Sequence, residues 1–147
     1  MIPPAFDGTT RLTVRRTFPA TRERVFRAWT QPEALLQWFR PEGKRVIISK
    51  LEVQVGGSFC FDVADGGDSL VGTYLEIIRP EKLVFTWSSA ATDDQETVVT
   101  VEFIEHGLVT QVVLTHERLS SKEMLSLHQA GWLSLLDQLD ISSLPHS

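Results

Sequence analysis

The sequence predicts an α+β fold in which a curved antiparallel sheet of about seven strands wraps around one long C-terminal helix, with two short helices after the first strand. Three observations favour this fold. Apolar residues recur at every second position over about seventy residues from Val46, which is the period of a half-buried strand. Helical spacing replaces that period over residues 20–40 and again after His116. Turn residues follow each strand after a few positions, and such short connections join strands antiparallel.

The first strand and the two short helices are predicted from the first third of the chain. Alternating apolar and polar residues indicate a strand from Arg11 to Phe18. Thr21 is suited to cap the first helix with its side-chain oxygen. Pro32 begins the second helix, because proline fits the first helical turn, and the turn Pro41–Gly43 ends it. The apolar positions of this helical pair are Val25, Phe26, Trp29, Leu35, Leu36, Trp38 and Phe39.

Six further strands are predicted before the C-terminal helix. The first covers residues 46–55 and is expected to end in a tight hairpin at Gly56 and Gly57, because paired glycines adopt the positive φ angles of such turns. In the second strand, Phe59 and Phe61 share one face. The remaining strands are residues 70–78, one strand with Leu83, Phe85 and Trp87, one with Val99, Val101 and Phe103, and Val109–Glu117.

A long amphipathic helix is predicted to cover the apolar face of the sheet. It begins after a cap at Ser120 or Ser121 and runs to about Leu139. At about 1.5 Å per residue it is roughly 30 Å long, which is enough to cross a small sheet. A curved sheet around one helix leaves space between the two, and large side chains are expected there. The residues predicted on the inward side of the helix are Leu125, His128, Trp132, Leu135, Leu136 and Leu139.

Length, composition and charge exclude several classes of protein. The 147 residues are 42% hydrophobic and 22% charged, which suits a globular domain rather than a disordered or fibrous chain. We expect a single domain over residues 10–140, between a flexible arm at residues 1–9 and a tail at residues 141–147. The formal net charge of -5 argues against a nucleic-acid partner, since phosphate binding needs clustered positive charge.

The sequence contains no motif for a metal, a cofactor or a catalytic nucleophile. Cys60 is the single cysteine, so an intramolecular disulfide and a cysteine-based zinc cluster are impossible, and a reducing, cytoplasmic location is expected. The histidines lack the short paired spacing of zinc sites, and there is no Gly-x-Ser-x-Gly elbow. No apolar run reaches the ~18 residues of a membrane span. We therefore expect no cofactor, no metal, no membrane contact, and a monomer or weak dimer.

Six short motifs occur in the order that one superfamily shows. They are Phe18-Pro19-Ala20 with residues 24–30, Trp38-Phe39-Arg40-Pro41, residues 56–59, residues 72–77 with 80–87, residues 110–116, and Gly131-Trp132. On these motifs the chain resembles the START-like (SRPBCC) helix-grip superfamily, which includes birch pollen allergens, and specifically the group similar to the C-terminal domain of the activator of heat-shock-protein-90 ATPase. The resemblance covers nearly the whole chain and implies the helix-grip fold. Phe39 and Arg40 stand where many relatives have a second Trp and a Gly.

The aromatic residues form the candidate binding site. Four Trp and eight Phe accompany a single Tyr, and such large side chains either fill a core or line a cavity in it. The strand faces that carry Phe59 and Phe85 are expected to point at the long helix, and Trp132 is expected to point back. The helix-grip resemblance implies a cavity between the two. The residues predicted to line it are Trp38, Phe39, Phe59, Phe61, Tyr74, Phe85, Trp87, His116, His128 and Trp132.

Two histidines are predicted to supply the polar contacts of this cavity. His116 shares its strand face with apolar residues, and His128 lies on the inward side of the helix. A histidine pair inside an aromatic shell can orient a ligand or transfer a proton near neutral pH. Each histidine alone could instead have an ordinary hydrogen-bonding role. At the mouth of the cavity, Trp38, Phe39 and Arg40 are predicted to act as a gate.

Three functions remain open from the sequence. The first is a protein that binds a small hydrophobic or aromatic molecule between sheet and helix, driven by burial of the ligand's surface. The second, implied by the resemblance, is a chaperone partner similar to the ATPase activator. Such activators work through an additional N-terminal domain, whereas only about ten residues precede the predicted fold. The third is a small cyclase or hydrolase that uses the two histidines.

Overall fold

The computed structural model describes residues 11–65 and 67–140. Within them, seven strands form one sheet in which every neighbouring pair is antiparallel. The predicted arm at residues 1–9 and the tail at residues 141–147 lie outside the described residues. The strands are β1 Leu12–Phe18, β2 Val46–Leu51, β3 Ser58–Val63, β4 Ser69–Ile78, β5 Lys82–Trp87, β6 Thr97–His106 and β7 Val109–Glu117.

The sheet is a meander to which the first strand is added at one end. Its strand order is β1-β7-β6-β5-β4-β3-β2, so the six strands after the helical pair follow one another as predicted. Strand β1 lies against β7, with Leu12 opposite His116 and Phe18 opposite Thr110. The first and the last strand of the sequence are therefore neighbours, and the helical pair connects one edge of the sheet to the other.

Three helices accompany the sheet, and polar caps fix where two of them begin. The Thr21 hydroxyl accepts a hydrogen bond from the Arg24 backbone N–H at 3.4 Å, and the Ser121 hydroxyl accepts one from Met124 at 3.0 Å. Of the two candidate caps of the last helix, Ser121 is therefore the one used. In the described part of the chain, no helix has the length and apolar character that a membrane span requires. The helices are α1 Arg22–Thr30, α2 Pro32–Trp38 and α3 Lys122–Gln138, and single 3₁₀ turns occur at Pro41–Gly43 and Ala90–Thr92.

The predicted length of the second strand is wrong. Strand β2 ends at Leu51, four residues short of position 55, and the two glycines that follow do not form the expected tight hairpin. Beyond Leu51 the chain turns, since the Gln54 N–H donates to the Glu52 carbonyl at 2.9 Å and the Gly57 N–H donates to the Gln54 carbonyl at 2.8 Å. Glu52 itself still binds the start of β3. Its backbone N–H donates to the Ser58 carbonyl at 3.0 Å, and its carboxylate accepts from the Ser58 N–H at 3.2 Å. The two glycines hydrogen-bond to Tyr74 of β4 instead.

The core lies between the inner face of the sheet and α3, as predicted. On α3, Trp132 and Leu136 are almost fully buried. The buried side of α3 differs from the prediction at one position, because Met124 is buried and Leu125 is only half-buried. Met124 lies four residues before His128 and so shares its face of the helix.

Candidate functional site

Aromatic side chains from β3, β4 and β5 form a packed interior. Phe59 lies at its centre, with its ring centroid 5.2 Å from Phe61, 5.5 Å from Phe85 and 5.7 Å from Tyr74. Such separations are usual for stacked and edge-to-face rings. Burial raises the pKa of Tyr74 to about 12, so its hydroxyl stays protonated. The cavity between the rings measures about 20 Å³, which is room for about one water molecule.

Three rings separate this interior from a second, more open cavity. Phe39, Trp87 and Trp132 line both, and we call these three rings the aromatic partition. Trp87 stands in the middle, with its ring centroid 5.0 Å from that of Trp132 and 6.1 Å from that of Phe39. Because all three side chains are buried, the aromatic partition belongs to the core on one side and forms the floor of a cavity on the other.

The outer cavity is a groove of about 230 Å³, which we call the helix groove. Helix α3 forms one wall, the turn Pro41–Gly43 forms a second, and the segment that follows β5 forms a third. An engineered apolar cavity of about 150 Å³ is large enough for benzene, so the helix groove has room for a one-ring or two-ring molecule. The residues of these walls that matter below are Glu42, Ala91, His128, Gly131 and Leu135.

Gly131 leaves the α3 wall of the helix groove without a side chain. A Cβ atom added to it would have no neighbour within 4 Å. Glycine in the interior of a helix destabilises it by roughly 0.5–1 kcal/mol relative to alanine. The sequence therefore forgoes some helix stability at a position that lines the helix groove.

His128 is the buried polar side chain of the α3 wall. It is 9% exposed, and its Nδ1 lies 2.8 Å from the Met124 carbonyl oxygen. A carbonyl can only accept, so Nδ1 carries the hydrogen and donates it. Burial lowers the pKa of His128, against the opposing effect of this hydrogen bond, so the ring is neutral at pH 7 and Nε2 holds a lone pair. Among the described residues none donates to Nε2, which leaves this nitrogen available to a ligand.

His116 is completely buried, and both of its ring nitrogens have partners. Nδ1 accepts from Trp132 Nε1 at 3.0 Å, so Nε2 carries the hydrogen and donates it to Thr97 Oγ1 at 2.7 Å. The Thr97 hydroxyl in turn donates to the Trp87 carbonyl at 2.6 Å. Burial and the nearby His128 lower the pKa of His116 to about 3. His116 thus holds two members of the aromatic partition in place, and its contact with a ligand stays a prediction.

The three residues predicted to form a gate lie in different surroundings in the structure. Phe39 lies on the helix groove. Trp38 is 1% exposed, and its Nε1 donates to the Ala28 carbonyl at 2.8 Å, so it joins α2 to α1. Arg40 is exposed and is not among the residues that line the groove.

Several residues of the two cavities do not follow from the sequence. Trp29, whose spacing indicates packing within the helical pair, also lines the interior and stacks on Trp132 at 6.4 Å. Glu42 and Ala91 come from turns, where no periodicity shows which side chains face inward. Gly131 did carry a usable signal, because a glycine inside a helical pattern often has a packing or functional reason.

Comparison with known sequences identifies one family. The chain matches the family described as activator of Hsp90 ATPase homolog 1-like protein over residues 19–142. No protein with a curated description matches the chain.

Solved structures share the whole architecture. A protein from Chromobacterium violaceum is 25% identical with a TM-score of 0.81, and the alignment covers 93% of this chain and 99% of that one. The AHSA1 protein from Silicibacter pomeroyi is 26% identical with a TM-score of 0.72, covering 88% and 94%. CalU16 from Micromonospora echinospora is 25% identical with a TM-score of 0.69, covering 88% and 73%. Because the sequence match spans most of the chain and the fold agrees with it, this chain belongs to the activator of Hsp90 ATPase homolog 1-like protein family.

Proposed function

We propose that this protein binds a small aromatic or hydrophobic molecule, and that the molecule sits in the helix groove against the aromatic partition. One observation carries the proposal: about 230 Å³ of space is bordered by the three rings of the aromatic partition and by His128, whose Nε2 receives no hydrogen bond from any described residue. Pockets for small molecules commonly have this composition, with a mostly apolar lining and a few polar groups that orient the ligand.

The helix groove is a better site than the packed interior. A ring-sized ligand would enter the interior only by displacing large side chains from a close-packed core, since the free space there is about 20 Å³. A ligand in the helix groove displaces no side chain, because about 230 Å³ is already free there. Each Å² of apolar surface that it removes from water contributes about 25 cal/mol.

Family membership is compatible with this function but does not select it. The helix-grip superfamily that the chain resembles includes carriers, receptors and cyclases, and a shared fold does not fix a function. The proposal therefore rests on the dimensions and lining of the helix groove.

Intrinsic tryptophan fluorescence tests the proposal directly, because two of the three rings of the aromatic partition are tryptophans. The probes are benzyl alcohol and 2-naphthalenemethanol, one-ring and two-ring molecules that carry one hydroxyl. We expect a saturable change in emission and a rise in melting temperature, since a ligand that binds only the folded state stabilises it.

A pair of leucine variants on α3 locates the binding site. Gly131→Leu places a side chain in the helix groove and should abolish both effects. Ala130→Leu adds the same side chain at an exposed neighbour that does not line the groove, and it should leave both effects intact. The proposal is contradicted if neither probe binds, or if binding survives Gly131→Leu unchanged.

A second candidate function is catalysis, favoured by the lone pair of His128 Nε2. A neutral histidine in an apolar groove can act as a general base on a bound molecule, as a cyclase or hydrolase would need. His128→Gln should then abolish turnover while binding persists. The prediction of a chaperone partner has support from the family description alone, and a pull-down with the chaperone tests it.

A further inference from the structure

We propose that the helix groove selects a cationic ligand, namely a hydrophobic amine in its ammonium form, over the matching alcohol or carboxylate. This inference rests on the proposed function, because it assigns the charge of the molecule bound there. Three features carry it: the rings of the aromatic partition, the carboxylate of Glu42, and the His128 Nε2 atom, which no described residue binds.

The aromatic partition contributes three rings to the lining of the helix groove. The Trp87 ring is inclined by 77° to Phe39 and by 53° to Trp132, so the three rings form a corner rather than a flat stack. A cation within about 6 Å of a ring centroid is attracted by the negative face of the ring, most strongly for tryptophan. An ammonium group in the helix groove would lie beside two tryptophans and one phenylalanine, and any of these rings within that distance would attract it.

Glu42 places a negative charge on the wall of the helix groove. It lies in the turn Pro41–Gly43 with a left-handed backbone, φ 54°, and in the described part of the chain no basic side chain pairs with it. The exposed Asp93 and Asp94 directly follow the turn that contributes Ala91 to the third wall. Arg40 precedes Glu42 but is exposed and lies outside the lining.

The titratable side chains of the helix groove both act as hydrogen-bond acceptors. Glu42 accepts through its carboxylate, and His128 accepts through Nε2 because its Nδ1 hydrogen is given to Met124. An ammonium group brings three donors and a positive charge to these acceptors. A carboxylate brings no donor and meets the like charge of Glu42. The formal net charge of -5 acts in the same direction, since it attracts cations to the protein surface.

Three molecules of the same shape test the preference: 2-naphthylmethylamine, 2-naphthalenemethanol and 2-naphthoic acid. Their affinities are measured by tryptophan fluorescence near neutral pH. We expect the amine to bind roughly threefold to thirtyfold more tightly than the alcohol, and the acid to bind most weakly. Added salt should reduce the advantage of the amine and leave the affinity of the alcohol unchanged, because exposed charges are screened.

Two matched variants identify the source of the preference. Glu42→Gln should weaken binding of the amine about twofold to fivefold without changing that of the alcohol. Glu33→Gln removes the same charge from an exposed position on α2 that does not line the helix groove, and it should change neither affinity. If the alcohol binds while the amine has no advantage, or if Glu42→Gln leaves that advantage intact, the cationic preference is overturned and the proposed function stands. If none of the three molecules binds, the cationic preference is overturned, and if benzyl alcohol does not bind either, the proposed function is overturned as well.

Discussion

The packed interior and the helix groove are built against the same three rings, yet one is filled and the other is open. Inside the aromatic partition, Phe59 and its neighbours leave about 20 Å³; outside it, about 230 Å³ remain. The difference comes from what lies opposite. Strands β3 to β5 supply a large ring at successive inward positions, whereas the helix groove faces turns and Gly131. An aromatic excess therefore stabilises the core on one side of the partition and offers a binding surface on the other.

Removal of the Phe59 side chain should have the largest effect on the difference between the two regions, because it turns the packed interior into a cavity. The Phe59 side chain is buried and lies within 6.1 Å, centroid to centroid, of four other rings. We expect Phe59→Ala to lower the free energy of unfolding by about 3–5 kcal/mol. Benzene should restore part of the lost stability, since a dry apolar cavity of the size of one ring binds it. Urea denaturation with and without benzene measures both effects.

Phe59→Leu is the matched control for that variant. It keeps more of the volume, so it should lose less stability and gain less from benzene. The test of the interior uses Gly131→Leu, which blocks the helix groove, as the background. If benzene then stabilises the protein that keeps Phe59 as strongly as the one with Phe59→Ala, the interior is already open and the contrast between the two regions fails.

Low pH should destabilise the folded protein through His116, which lies on the interior side of the aromatic partition. Its pKa is about 3 in the folded protein against an ordinary value of 6.5, so between these values the unfolded chain binds a proton that the folded chain does not. The free energy of unfolding should fall as the pH decreases from 6.5 towards 3, by at most about 1.4 kcal/mol per pH unit for one group. Above pH 6.5 His116 should contribute no pH dependence.

The measurement compares urea denaturation across this pH range for the unaltered protein and for His116→Gln. The pKa of His128 is lowered as well and acts in the same direction in both proteins, so the quantity of interest is the difference between the two slopes. Equal slopes would show that His116 is not held neutral by the core.

The smallest expected effect concerns Gly131, on the open side. Gly131→Ala should raise the free energy of unfolding by about 0.5–1 kcal/mol, because alanine is the better helix former. The added methyl group enters the helix groove, so the affinity for 2-naphthalenemethanol should decrease. Ala130→Gly is the reverse control: it should lower stability by a similar amount and leave the affinity unchanged. A more stable Gly131→Ala protein with undiminished affinity would place the ligand elsewhere.

Most of the fold could be predicted from the sequence, because strand and helix periods are local properties. Residues 109–117 were expected to form a strand and do so. The length of strand β2 was predicted wrongly because the turn that ends it is formed by backbone hydrogen bonds from Gln54 and Gly57, which leave no mark on the hydrophobic pattern.

The candidate site was predicted only in part. Alternation along β3 and β5 correctly brings Phe59 and Phe85 together, with 5.5 Å between their ring centroids. The alternation of apolar and polar residues cannot predict the volume that remains between the rings, because this volume depends on rotamers and on neighbours from other strands. The helix groove was missed for a different reason: Glu42 and Ala91 belong to turns, whose side-chain directions follow no period.

The pairing of β1 with β7 has a consequence for the synthesis of the protein. Leu12 finds its partner His116 only after roughly 100 more residues have been made, which takes a ribosome roughly 5 to 20 s. During this interval the first strand is an unpaired edge that other chains could join. Arg15 and Arg16 interrupt its apolar residues, and charges of this kind act as gatekeepers against aggregation. Strand β1 is made first and paired last, so it is the strand that needs protection from aggregation for the longest time.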